Sequence, residues 1–93
     1  MRNRGQVYWE WANPELHFRN QDERLPCGSL INIQARISKE GVTQLFFGIY
    51  GVKGLALHEE YHPACEGQTI STAMAWARQR ALQWAAETMS GTG

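Results

Sequence analysis

The 93-residue sequence predicts an α+β fold: an antiparallel β-meander of three to five strands with one C-terminal amphipathic helix packed across one face. Three observations predict it. Residues 30–62 alternate apolar and polar side chains in runs separated by Gly-containing turns. Those turns are short, which joins consecutive strands antiparallel. Residues 69–89 then carry apolar side chains at helical spacing, with no Gly or Pro among them. The length fits a single domain over 1–93.

The N-terminal region reads as an aromatic strand or hairpin over 6–19. Val7, Trp9 and Trp11 alternate with Tyr8 and Glu10, and Leu16 and Phe18 share a side after the Asn13-Pro14 turn. Residues 20–29 are polar and end in Pro26-Cys27-Gly28-Ser29, so they read as a loop. The clearest strand is 30–38, where Ile31, Ile33, Ala35 and Ile37 face one way and Asn32, Gln34 and Arg36 the other. Lys39-Glu40-Gly41 turns the chain into 43–50. There Leu45, Phe47 and Ile49 oppose Gln44, Phe46, Gly48 and Tyr50. After Gly51-Val52-Lys53-Gly54, a further strand over 55–62 stops at Pro63.

Thr69 is the expected N-cap of the helix, because its hydroxyl can accept from a free N–H of the first turn. Ile70, Ala73, Met74, Ala77, Ala81, Trp84, Ala85 and Thr88 form the stripe that meets the sheet. Residues 90–93 read as a frayed tail.

Hydrophobic residues make up 43% and charged residues 19%, which is globular composition and not that of a disordered chain. Nine Lys and Arg balance nine Asp and Glu. That neutrality argues against a dedicated nucleic-acid binder and leaves self-association unopposed by charge. Cys27 and Cys65 can pair, but two cysteines with no secretory segment read as reduced thiols. The N-terminus lacks an apolar run after its basic residues, and no stretch is long enough to span a membrane. A soluble cytoplasmic protein without a cofactor or membrane contact is expected.

Several constellations bear on function. His58-Glu59-Glu60-Tyr61-His62 fits H-E-x-x-H, the zinc-hydrolase pattern. That chemistry needs a helix, which puts both imidazoles on one face beside the glutamate. In a strand His58 and His62 lie roughly 13 Å apart at about 3.3 Å per residue, too far for one ion. Glu66 or Cys65 would have to supply a third ligand. Cys65 has no identifiable orienting group and reads as inert.

Phe46 and Tyr50 share one side of their strand, and Gln34 and Arg36 extend that surface. Such a mixture binds single-stranded nucleic acid by stacking and phosphate contacts. The other reading is that the N-terminal segment or a second copy covers the rings, and it is the favoured one. Trp76 and Leu82 fall off the apolar stripe of the helix, where large residues meet a partner. Arg80 lies one turn from Trp76, in range for a cation–π contact. Arg78 reads as solvated.

Gly67-Gln68-Thr69-Ile70, with Ala73 and Ala77, resembles the helix start of HicB-type antitoxins. The resemblance covers the meander and the helix, and implies a dsRBD-like half-fold and a toxin partner. The separate DNA-binding domain of those antitoxins has no counterpart here. The strand–strand–strand–helix order also resembles the arm-binding domains of phage-type integrases, which are basic where this chain is neutral. Neither resemblance assigns the chain to a family.

The reading that follows is a small non-catalytic protein-interaction domain that forms a homodimer. The alternatives are a nucleic-acid-binding module using the sheet face and a zinc-dependent hydrolase at His58, Glu59 and His62.

Overall fold

Four antiparallel strands lie side by side in sequence order, with one helix on each face of the sheet. The computed structural model describes residues 4–13 and 17–89. Their elements are α1 (Gln6–Trp11), β1 (Phe18–Arg24), β2 (Leu30–Ile37), β3 (Thr43–Tyr50), β4 (Ala56–His62) and α2 (Ile70–Met89). No described helix is long and apolar enough to cross a membrane.

The strand register sorts side chains onto two faces. Ile31 opposes Ile49, Ile33 opposes Phe47 and Ala35 opposes Leu45. All six are buried, and α2 lies over β2 and β3 on this side. Its contact stripe is Ala73, Met74, Ala77, Ala81 and Ala85, all buried. Alanine at every helical turn brings the helix axis close to the sheet without loss of packing. Thr69 caps α2: its Oγ1 accepts from Thr72 N–H at 3.1 Å, and Thr72 Oγ1 accepts from Thr69 N–H at 2.9 Å. Leu82 is partly buried against the core rather than facing outward, so the expected second contact of the helix does not include it.

Two sequence expectations need correction. Residues 20–24 are not loop but most of β1, which pairs with β2 from Phe18↔Arg36 to Arg24↔Leu30. They lack alternation because neither face of β1 is covered by a helix. Residues 6–11 are not strand but helix. Alternating Trp and Tyr are equally compatible with one turn and a half of helix, and here tertiary contacts decide. Tyr8 and Trp11 are three residues apart, so a helix turns both toward the sheet. The expected Asn13-Pro14 turn lies partly outside the described residues, as do 15–16 of the expected second strand and the tail over 90–93.

Candidate functional site

The face opposite α2 is closed by α1, which lies over β3 and β4. Gln34, Arg36, Phe46 and Tyr50 do come together there, beneath the helix. Phe46 and Tyr50 are completely buried. Trp11 is only 2% exposed and stacks on Phe46 at 6.0 Å, with the Arg36 guanidinium 3.7 Å from its ring centroid. Trp11 Nε1 donates to Gln34 Oε1 at 3.0 Å, and Arg36 donates to the Trp11 carbonyl at 2.7 Å. The rings and amides that resemble a base-stacking surface therefore hold the chain's own N-terminal helix.

One row across the sheet explains how. Asp22, Asn32, Gly48 and Glu59 are successive partners in β1 to β4. Gly48 leaves a gap in that row, and the Tyr50 phenol folds back into it. A Cβ at Gly48 would lie 2.5 Å from the Tyr50 hydroxyl and 2.8 Å from its ring. From that gap Tyr50 donates to Glu59 Oε2 at 2.6 Å and accepts from Arg4 at 3.0 Å. Arg4 also donates to Asn32 Oδ1 at 2.8 Å. Asn32 in turn donates to Asn20 at 2.7 Å and Asp22 at 2.8 Å. Burial first, and then the bond to Glu59, push the Tyr50 hydroxyl well above its ordinary range; Arg4 opposes them.

Glu59 completes the lock. Its two carboxylate oxygens accept from the backbone N–H groups of Gly5 at 3.0 Å and Tyr8 at 3.3 Å. Gly5 has no side chain to cap α1. A carboxylate from β4 supplies the cap and meets the positive end of the helix.

The H-E-x-x-H segment is strand β4, and Glu59 points to the opposite face from His58 and His62. The histidines cannot share an ion with that glutamate. They flank Glu60 instead: His58 Nε2 lies 2.8 Å and His62 Nε2 2.6 Å from its two carboxylate oxygens. Opposite them on α2 stand Trp84, Arg80 and Trp76. His58 stacks on Trp84 at 5.2 Å, Arg80 Nε meets Glu60 at 2.9 Å, and His62 meets Trp76 edge-on at 5.1 Å. Two strand residues advance about as far as four helix residues, so i, i+2, i+4 on β4 matches i, i+4, i+8 on α2. The result is a three-rung ladder that closes α2 against the sheet edge. Burial alone would raise the Glu60 pKa, but the bonds from Arg80, His58 and His62 outweigh it and hold it at about 2. The sequence signal that could have revealed this ladder is the i, i+4, i+8 spacing of Trp76, Arg80 and Trp84 beside the alternation of His58, Glu60 and His62.

Trp76 remains 42% exposed. Arg78, its side chain 42% exposed, also makes a bidentate pair with Glu23 of β1, at 2.7 and 3.1 Å. Cys65 is a half-buried thiol whose burial raises its pKa, and Cys27 is exposed. Among the described residues, no group of three or more His, Cys, Asp or Glu is arranged to hold a metal ion.

What stays open lies at the rim. Trp9 is 66% exposed and lines a recess with Phe18, Trp11, Gln34 and Arg36. The strand β1 is exposed along its whole length except at Glu23. Comparison of the chain with protein-family models, with curated proteins and with solved structures finds no match. The antitoxin-like helix start therefore rests on the spacing from Gly67 to Ala77 alone.

Proposed function

We propose that this chain is a non-catalytic protein-interaction domain that forms a homodimer. The observation that carries the reading is the uneven cover of the sheet. The helix α2 lies over β2 and β3, and α1 over β3 and β4, so β1 meets a helix only through the side-chain bonds of Arg19 to Ser71 and Glu23 to Arg78 among the described residues. A strand paired on one edge only and mostly exposed on both faces invites a partner. Zero net charge adds no long-range repulsion between copies. The titratable groups that the sequence offers for catalysis are engaged with one another: Glu59 in the cap of α1 and His58, Glu60 and His62 in the ladder. Sedimentation analysis or light scattering at micromolar concentration tests the reading. A dimer is expected, and a strict monomer removes it.

A second reading has one observation in its favour. Arg36 and Gln34 line the recess that also holds the exposed Trp9 and Phe18 rings. Single-stranded nucleic acid would stack there rather than on the buried Phe46 and Tyr50. Salt-dependent binding of oligonucleotides, lost in Trp9→Ala, is the result it requires.

A further inference from the structure

The two edges of the sheet are not equivalent. At one edge, β4 is interrupted by a bulge at Leu57, is followed by Pro63 and lies against α1. These features discourage pairing with another strand. At the other edge, β1 has no proline, no bulge and unbroken register with β2 over seven residues.

Backbone direction along β1 follows from the hairpin that leaves it. Leu25 N–H donates to the Ser29 carbonyl at 2.8 Å. Hydrogen-bonded pairs alternate in an antiparallel ladder, so Glu23↔Ile31, Gln21↔Ile33 and Arg19↔Ala35 are the bonded ones. The Ser38 N–H bond to Val42 agrees, because it assigns the even-numbered residues of β2 to β3. The N–H and C=O groups of Phe18, Asn20, Asp22 and Arg24 therefore point to the open edge.

We infer that two copies of the chain pair β1 with β1 antiparallel, about a two-fold axis at Gln21. This rests on the homodimer reading above and specifies its interface. In that register every outward backbone group meets an outward backbone group. Arg19 stands opposite the partner's Glu23, Asn20 opposite the partner's Asp22, and Phe18 opposite the partner's Arg24. The two-fold repeats each pair, giving two ion pairs, two amide–carboxylate pairs and two ring–guanidinium pairs. The register centred on Asp22 would set two carboxylates face to face. The one centred on Asn20 would carry Glu23 and Arg24 past the end of the partner's β1.

The axis is perpendicular to the sheet, so both copies of α2 fall on the same side. Two four-stranded sheets become one of eight strands. The helix α2 leaves room for this, because it reaches β1 only through side chains, Ser71 with Arg19 and Arg78 with Glu23. Those contacts hold Arg19 and Glu23 on the α2 face, where the partner's residues arrive. Charges of both signs repel an arbitrary strand at this edge and select a second copy.

Charge reversal tests the register. On the α2 face of β1, Arg19→Glu leaves two glutamates and Glu23→Arg leaves two arginines. Each variant alone is expected to raise the dimer dissociation constant by on the order of tenfold. Mixed in equal amounts, the two are expected to form a heterodimer, since each supplies the charge the other lacks. Circular dichroism shows whether each variant is folded, and the mixture reports on the interface even if both are less stable. Dimers unchanged in both variants would place the interface elsewhere and overturn this inference while leaving the homodimer. So would a mixture no heavier than its components. A monomeric wild type, including one that binds an unrelated extended peptide along β1, would end the homodimer reading itself.

Discussion

The same sheet is closed on its two faces by opposite means. Toward α2 it presents Ile31, Ile33, Ala35, Leu45, Phe47 and Ile49 to a stripe of four alanines, one per turn from Ala73 to Ala85. Toward α1 it presents Asn32, Gln34, Arg36, Tyr50 and Glu59 around the buried Phe46, to a helix of six residues. The first face is held by area removed from water, which is non-directional. The second is held by donors and acceptors that must each find their partner, because an unmet buried polar group is costly. Among the described residues, every buried side-chain N and O has one. A six-residue helix is also too short to persist by itself, so α1 exists only where this face holds it.

Removing Phe47 should do the most damage. Its side chain is completely buried under α2. Phe47→Ala is expected to cost about 3–5 kcal/mol, a large part of the total stability of so small a domain. Chemical denaturation measures this directly, and a loss below 1 kcal/mol would contradict the packing described for the α2 face.

The polar ladder on that same face should show itself in acid. The Glu60 pKa lies at about 2 in the folded chain against an ordinary 4.5. A lowered folded pKa means that its contribution is complete above about 4.5 and is lost as pH falls through about 2. That contribution is on the order of 2 kcal/mol. Arg80→Met removes one of the donors and should move the acid limb to higher pH. Equal acid profiles for the wild type and Glu60→Gln would rule the ladder out as a source of stability.

On the α1 face, Tyr50→Phe deletes the hydroxyl shared by Arg4 and Glu59. A cost of about 1–2 kcal/mol is expected. Amide exchange should accelerate over 6–11 before it does in α2, and uniform acceleration would mean that the two faces are not separable. Glu59→Gln is the mildest change, because the amide oxygen can still accept from one backbone N–H. About 1 kcal/mol is expected, read from Trp fluorescence as α1 loosens around Trp11. No change in the Trp11 environment would refute the cap.

Particular residues show why one face was legible in the sequence and the other was not. The run from Ile31 to Ile37 alternates because one face is buried in apolar neighbours, and the alanines of α2 repeat because that helix meets a flat sheet. Periodicity records burial in a single direction. It is silent on β1, which is buried on neither side, so Asn20 to Arg24 looks like loop. It misleads at Gln6 to Trp11, where six aromatic-rich residues fit both periods. Strand alternation puts Gln34, Arg36, Phe46 and Tyr50 on one surface, but their occupant depends on where the N-terminal residues fold.

From the sequence alone follow the meander, its apolar face, the capped C-terminal helix and the alanine stripe that joins them. These rest on local propensity and on patterns a few residues long. Only the tertiary structure decided that α1 is a helix, that Glu59 caps it from a distant strand, and that His58, Glu60 and His62 pack against Trp84, Arg80 and Trp76 of α2. The reason is range: each of these depends on groups more than ten residues apart in the chain, which no local period can encode.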